Sequence, residues 1–216
     1  MTDQTSDAPD VEAASDVELI SAERLVFFSD AVVAIAITLL ALGLPVPHGA
    51  TSPAIFRAIW ADRPAYFAFL ISFAVIANHW RNHHRLYRNV VRLDGRIVTM
   101  NMFWLLLIVI TPFATRLISG NGAFGARFTI YAVIQVGAIL AFLAMSRHIQ
   151  SRHLLRLGAP DPTSRIDNAA LLAVAGMFAL SIPVAFATNS QWAFAIWVGS
   201  VFAAKAVRRR SLEEYR

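Results

Sequence analysis

The chain has 216 residues, of which 57% are hydrophobic, and its formal net charge is +5 at pH 7. Such an apolar composition excludes a single soluble domain, and the chain is long enough to cross a membrane several times. There is no cysteine, which excludes disulfides and thiolate metal sites. The arginines cluster between apolar segments, which fits the cytoplasmic face of a membrane better than a nucleic-acid surface.

The N-terminal segment, residues 1–20, contains six acidic residues and no basic ones. It is rich in Ser, Thr, Ala and Asp, and this composition predicts a disordered cytosolic tail rather than a signal peptide or part of a core. Ser15 and Glu18 have the spacing of a capping box, which is typical of a helix start leading into the first membrane segment.

The first membrane helix is predicted from Leu25 to Leu44, where Ser29, Asp30 and Thr38 are the polar side chains. A helix of this length spans about 30 Å, which matches the hydrocarbon core of a bilayer. An ionised carboxylate is costly in lipid, so Asp30 is expected to face protein or water and to mark a functional region.

Four residues of this helix share one narrow stripe, because they are separated by four, three and four positions. They are Ala31, Ile35, Thr38 and Leu42. The stripe is mostly apolar and carries one hydroxyl. Lipid contact or the core of a helix bundle is the ordinary interpretation of such a stripe.

Five further membrane helices are predicted along the chain. They cover residues 64–81, 97–118, 128–145, 169–187 and 192–207. A short amphipathic helix at residues 53–63 precedes them, after a break at Pro45 and Pro47. Pro64 suits a helix start, and Pro183 is expected to bend the fifth membrane helix. The predicted fold class is therefore all-α, a polytopic membrane protein with six transmembrane helices per subunit.

Six spans place both termini on the same side of the membrane, and the basic residues indicate which side. Fifteen of the 19 basic residues fall with the termini, so the positive-inside rule predicts a multi-pass protein of the cell membrane with both termini in the cytoplasm. The predicted division is the acidic tail at 1–20, a six-helix transmembrane domain at 21–207 and a basic cytosolic tail at 208–216.

This orientation brings polar side chains of the first three membrane helices to the same depth, near the cytosolic boundary. They include Arg24, Ser29, Asp30, His79, Trp80, His83, His84 and Asn101. Hydrogen bonds among them would satisfy Asp30 and hold the three helices together. Two alternatives stay open. His79 and His83 are one helical turn apart and could chelate a metal, and the histidines could form a proton relay or pH sensor.

Several functional classes leave no sequence signal in this chain. It lacks nucleotide-binding, dinucleotide-binding and nucleophile-elbow motifs, so neither an enzyme nor a cofactor is predicted. It lacks the Thr-Val-Gly-Tyr-Gly filter of the common potassium channels. No apolar helix carries arginine at every third position, so no voltage sensor is indicated.

The motif Arg24-x-x-x-Phe28-Ser-Asp and the apolar run after it resemble the signature of the transmembrane protein 175 family of endolysosomal potassium channels. The motif that begins at Trp80 and includes His83, and the stretch that begins at Asn101, resemble the second and third helices of that family. The six-span layout is also similar along nearly the whole chain. With a single six-helix repeat, the chain is identified as a member of the bacterial branch.

The resemblance implies a cation channel that favours potassium over sodium, with potassium as the permeant ion and without a cofactor. It also implies a homotetramer in which the first helix of each subunit surrounds a central pore. The implied partners are the other copies of the chain and membrane lipid, with no nucleic acid and no small-molecule substrate.

The resemblance also assigns roles to individual residues. Ile35 matches the main hydrophobic constriction of the family, and Thr38 matches a hydroxyl position one turn deeper. Leu42 matches a further apolar ring, and Ala31 stands on the same stripe. The structural motif that holds the helices in place would consist of Arg24, Phe28, Ser29, Asp30, His79, Trp80, His83, His84 and Asn101.

The second function considered is a proton-coupled secondary transporter that uses Asp30 and the histidines of the second helix. Its hallmarks would be inverted repeats and interrupted helices in matching positions, and Pro183 alone does not supply them. A third possibility is a membrane enzyme with a histidine-bound metal.

Overall fold

The computed structural model describes residues 8–120, 122–152, 154–155, 165–188, 196–197 and 199. These residues form six α-helices. They are α1 (Ala8–Leu42), α2 (Ser52–Ala61), α3 (Arg63–Tyr87), α4 (Gly95–Ser119), α5 (Phe124–Ser151) and α6 (Arg165–Thr188). The one β-type pairing among the described residues is an isolated bridge between Val90 and Leu155.

Within the described part of the chain, four helices are long and apolar enough to cross a membrane, namely α1 from Ala22, α4, α5, and α6 from Asn168. Helices α2 and α3 qualify together as a fifth span, bent by 60° at the break between them. The first five predicted spans therefore coincide with α1, α3, α4, α5 and α6. The predicted sixth span, 192–207, lies outside the described residues except for three positions, so a count of six stays a prediction.

Helix α1 begins at Ala8, earlier than the sequence predicts. The backbone of residues 8–20 is helical where a disordered tail is expected, and Ser15 lies inside the helix rather than at its start. Alanine and glutamate favour the helix, and extending an existing helix needs no new nucleation. The cytosolic location of this segment and the division into domains stay predictions.

Prolines and one aspartate set the helix boundaries around the second span. Pro53 and Pro64 stand in the first turns of α2 and α3, where a missing amide hydrogen costs nothing. Asp94 caps α4, because its Oδ1 accepts a hydrogen bond from the Ile97 amide at 2.7 Å. The Tyr66 hydroxyl donates to a carbonyl of the linker after α1 at 2.9 Å, which ties that linker to α3.

Helix α4 lies at the centre of the bundle and packs against α1, α3 and α5, while α6 packs against α5. One core surrounds Trp104 of α4 and includes Val33 and Leu40 of α1. A second core contains Phe128 of α5 and Phe178 of α6. In lipid, such contacts are held by close packing rather than by exclusion of water. The bundle therefore buries one side of α1 and leaves its other side free.

Candidate functional site

Helix α1 has two opposite faces, one inside the bundle and one on the surface. The buried face consists of Ala22, Ser29, Val33, Ala36 and Leu40. The exposed face consists of Arg24, Phe28, Ala31, Ile35, Thr38 and Leu42. Each exposed position follows a buried or partly buried position by two residues. For example, Ile35 follows Val33, and Leu42 follows Leu40. Two residues correspond to about 200° of rotation, so the exposed face points away from the core.

All four residues of the predicted pore stripe belong to the exposed face. Ile35 is 59% exposed and Leu42 is 81% exposed, and Ala31 and Thr38 are also exposed. Leu39, which is 42% exposed, flanks the stripe. Leu39 is not among the predicted residues, because the predicted stripe is a single line of side chains and an exposed helix face is wider than one line.

The Thr38 hydroxyl is held by its own helix. It donates a hydrogen bond to the carbonyl oxygen of Ile35 at 2.8 Å. Its proton is therefore directed to the backbone, while its oxygen lone pairs remain able to accept a donor or to contact a cation.

A chain of buried hydrogen bonds joins α1, α4 and α3. Asn101 of α4 donates from Nδ2 to the Ser29 hydroxyl of α1 at 2.9 Å, and Ser29 donates to the carbonyl of Leu25 at 2.8 Å. The Oδ1 atom of Asn101 accepts from His83 Nε2 of α3 at 2.8 Å. All three side chains are almost completely buried. One asparagine therefore connects three helices within the membrane region.

Asp30, the carboxylate that is costly in lipid, is paired with a tryptophan. Trp80 of α3 donates from Nε1 to Asp30 Oδ1 at 2.9 Å. The His84 ring lies beside that indole, with 5.8 Å between ring centroids. Asp30 is half-buried, so this contact supplies a partner at the place where α1 and α3 meet.

Two of the α3 histidines also make aromatic contacts. His83 is stacked between Trp104 and Tyr87, with ring centroids 4.5 Å apart on each side. His79 meets the edge of Trp104 at 6.3 Å. Among the described residues, no group of three or more His, Cys, Asp or Glu side chains could hold a metal ion. The positions of His79 and His83 fit packing and hydrogen bonding.

Arg24 and Phe28 are placed differently from the rest of the predicted motif. Both lie on the exposed face of α1, and Phe28 is 52% exposed. The described hydrogen bonds that join α1 to α3 and α4 run through Ser29 and Asp30 instead. A role of Arg24 or Phe28 in holding the helices stays a prediction.

A second buried polar group, which was not predicted from the sequence, connects α3, α4 and α5. Thr115 donates to the Ser72 hydroxyl at 2.8 Å, and Ser72 lies 3.0 Å from the Tyr131 hydroxyl. Gln135 donates weakly to Thr111, at 3.4 Å. Isolated Ser, Thr and Gln residues give no periodic signal in apolar segments. A usable signal is that these polar residues occur in three neighbouring spans, where their hydrogen-bond partners must come from the protein itself.

An acid–base pair joins α4 and α5 at the end of the bundle where α4 begins. His148 Nε2 lies 2.6 Å from Asp94 Oδ2, and the backbone amide of Val91 donates to the carbonyl of Leu154 nearby, at 3.1 Å. The bond from His148, followed by the bond from the Ile97 amide, lowers the pKa of Asp94 below its ordinary value. The loop between α3 and α4 is thus tied to the end of α5.

Comparisons with known proteins cover most of this bundle. The family model described as endosomal/lysosomal potassium channel TMEM175 matches residues 24–112. A protein of Streptomyces collinus described as a potassium channel is 33% identical over 162 residues, which are 73% of this chain and 75% of that protein. This chain belongs to the TMEM175 family.

Other TMEM175 relatives agree with this assignment. A protein of Chamaesiphon minutus described as a potassium channel is 41% identical over 98 residues, 44% of this chain and 48% of that protein. A crystal structure described as a lysosomal potassium-selective channel TMEM175 homolog from Chamaesiphon minutus matches with a TM-score of 0.70 and 26% identity. The match covers 87% of this chain and 98% of the other.

The family assignment decides several of the predictions. The resemblance drawn from the motif at Arg24 is confirmed, and the chain is a multi-pass, all-α membrane protein of an ion-channel family rather than an enzyme. The part matched by the TMEM175 model contains Ser29, Trp80, His83 and Asn101. The second polar group extends beyond it, because Thr115, Tyr131 and Gln135 follow residue 112.

Proposed function

We propose that this TMEM175 family member is a potassium channel that favours potassium over sodium, with four copies around a central pore lined by α1. The exposed face of α1 carries the proposal. A helix that packs into its own subunit on one side and has a regular second face needs a partner for that face, and copies of itself around an axis supply one. The names of the bacterial relatives support potassium as the permeant ion.

Lipid is the other possible partner of an exposed face, and α4 offers a comparison. The exposed large side chains of α4 are Val98, Met102, Phe103, Leu106, Val109, Ile110 and Phe113. The exposed residues of α4 from Met102 to Phe113 are all large and apolar, whereas Ala31 and Thr38 bring a small side chain and a hydroxyl into the exposed face of α1. Small and hydroxylated residues are enriched where membrane helices approach one another. This difference favours a protein-lined pore on α1 and lipid on α4.

The proposed neck consists of four Ile35 side chains around the axis. An apolar constriction closes by dewetting when it is narrow. When it is wider, a passing ion must shed part of its hydration shell, which costs sodium more than potassium because sodium holds water more tightly. Four Thr38 oxygens one turn away can replace part of the lost water, and Leu42 supplies a further apolar ring.

Hydrogen bonds close to Ile35 support a neck with a fixed position in each subunit. Ser29 lies six residues from Ile35, about 9 Å along the helix axis. The bonds of Asn101 to Ser29 and of Trp80 to Asp30 join this part of α1 to α4 and α3. Side chains on rigid, doubly anchored helices hold a constriction more precisely than side chains on loops.

Replacement of Ile35 by asparagine tests the neck. Leu106→Asn is the matched control, since Leu106 is 58% exposed against 59% for Ile35 but stands on the proposed lipid face of α4. Purified protein is reconstituted in liposomes, and potassium and sodium currents are measured. If the neck adds about 1.4 kcal/mol to the barrier, Ile35→Asn raises the potassium current about tenfold. The reversal potential also shifts toward non-selectivity, and Leu106→Asn changes neither quantity.

Two outcomes oppose the proposal. Unchanged current and reversal potential in Ile35→Asn contradict the neck. A potassium flux coupled at fixed stoichiometry to protons contradicts a channel and favours the proton-coupled transporter.

We also propose that the protein resides in the cell membrane with both termini in the cytoplasm. The distribution of the 19 basic residues supports this orientation. A tag added before Met1 is then inaccessible from the outside of intact cells, and reactivity with an impermeant reagent would contradict the orientation.

A further inference from the structure

One line on the surface of α3, with four exposed and two half-buried residues, changes from apolar to basic along its length. The line consists of Leu70, Ala74, Ala77, Arg81, Arg85 and Arg88, at intervals of four, three, four, four and three residues. The buried residues of α3, among them Ser72, Ile76, His79 and His83, lie on the opposite side. We infer that this line binds a phospholipid with an anionic headgroup, with the acyl chain along the apolar half and the phosphate on the arginines.

The dimensions of the line match one lipid. Eleven residues separate Leu70 from Arg81, which corresponds to about 16 Å along the helix. Half of the hydrocarbon core of a bilayer is about 15 Å thick. Leu70 is 59% exposed, and the two alanines after it leave a shallow strip on the helix surface. An acyl chain on this strip therefore places its headgroup at the first arginine.

The arginines are available to a phosphate. Arg81 and Arg88 are exposed and Arg85 is half-buried. Arg81 donates from Nη2 to Asn78 at 2.7 Å, which orients its guanidinium and leaves most of its donors free. Within the described part of the chain, no carboxylate pairs with these three side chains. Guanidinium groups bind phosphates with paired hydrogen bonds.

Two other occupants fit the line less well. A second copy of the chain would have to offer carboxylates to the arginines, but Asp30 is bonded to Trp80 and Asp94 to His148. The acidic segment 1–20 carries charges that complement the arginines, but its apolar residues are interspersed with six carboxylates, whereas Leu70 and the two alanines form an uninterrupted apolar strip. A phospholipid matches both halves of the line.

Native mass spectrometry of the purified full chain tests the inference with phosphatidylglycerol and phosphatidylcholine of identical acyl chains. Arg81→Gln/Arg88→Gln is compared with Arg147→Gln/Arg152→Gln, which removes two exposed arginines from α5 and its end. At about 1 kcal/mol per arginine, the first pair weakens phosphatidylglycerol binding about 25-fold. The second pair leaves phosphatidylglycerol binding unchanged. Phosphatidylcholine binds weakly to the parent and to both variants.

Further variants distinguish the possible occupants of the line and control for misfolding. Arg81→Lys/Arg88→Lys should retain most of the binding, since lysine keeps the charge. Deletion of residues 2–20 should leave binding unchanged. An equal loss of phosphatidylglycerol binding in both Arg→Gln double variants would overturn the site. So would inorganic phosphate that displaces the lipid as effectively as the lipid headgroup does. Stronger lipid binding after the deletion would assign the arginines to the acidic segment instead. The site does not depend on ion conduction, so its failure leaves the proposed channel function untouched.

Discussion

The two faces of α1 show how one helix can serve a subunit and an assembly. The buried face is anchored by Ser29, Val33 and Leu40, which meet α3 and α4. The exposed face carries Ile35 and Thr38 and has no partner within the described part of its own chain. From Ser29 on the buried face and from Arg24 on the exposed face, the residues recur at intervals of three and four. Periodicity therefore locates the faces, but only the partners of the side chains decide which one enters the core.

The comparison also separates two physical requirements. On the buried face, a polar side chain must have a hydrogen-bond partner, because water is absent. On the exposed face, a side chain contributes little to the fold of the subunit and remains free to serve conduction. Substitutions on the first face should change stability, and substitutions on the second should change ion flux.

The largest effect on stability is expected at Asn101. Asn101→Leu keeps the size of the side chain but leaves Ser29 and His83 without their partner, which costs about 3 to 4 kcal/mol of unfolding free energy. Asn78→Leu is the control, since Asn78 is exposed on α3 and bonds only to Arg81 among the described contacts. Thermal unfolding in detergent measures both variants. Equal loss in the two would contradict the joining role of Asn101.

A leucine pair gives a smaller effect and compares the two faces directly. Leu40 is 4% exposed and Leu42 is 81% exposed, on opposite sides of the same turn. Leu40→Ala should cost about 2 to 3 kcal/mol through the cavity that it leaves. Leu42→Ala should cost less than about 0.5 kcal/mol and instead change the potassium current. The reverse ranking in unfolding measurements would show that the faces are wrongly assigned.

The smallest effect concerns pH at the junction of α4 and α5. The pKa of Asp94 is lowered in the folded protein from 3.8, mainly by His148, so the ionised carboxylate is stabilising above that pH. This contribution is lost as the pH falls below 3.8. Asp94→Asn, which can still cap α4, should therefore be less stable than the parent at neutral pH by an amount that shrinks in acid. A stability difference independent of pH would rule out the charge of Asp94 as its cause.

The sequence predicts much of the bundle because long apolar segments and prolines are strong signals. It also predicts that Asp30 lies at the same depth as the polar side chains of α3 and α4, because the topology brings the ends of successive spans together. It places Asn101 in the network but does not predict that this one side chain bonds to both Ser29 and His83, since that depends on side-chain direction. It also missed Ser72 and Tyr131, whose hydroxyls pair only when the rotations of α3 and α5 are known.

The absence of cysteine from the chain allows the central claim to be tested by cross-linking. A single cysteine replaces Ile35 in one variant and Leu106 in another, and membranes that contain each protein are oxidised. If α1 lines the pore, Ile35→Cys forms disulfide-linked dimers and Leu106→Cys remains monomeric. Dimers from Leu106→Cys together with monomers from Ile35→Cys would place α1 against lipid and contradict a pore lined by this helix.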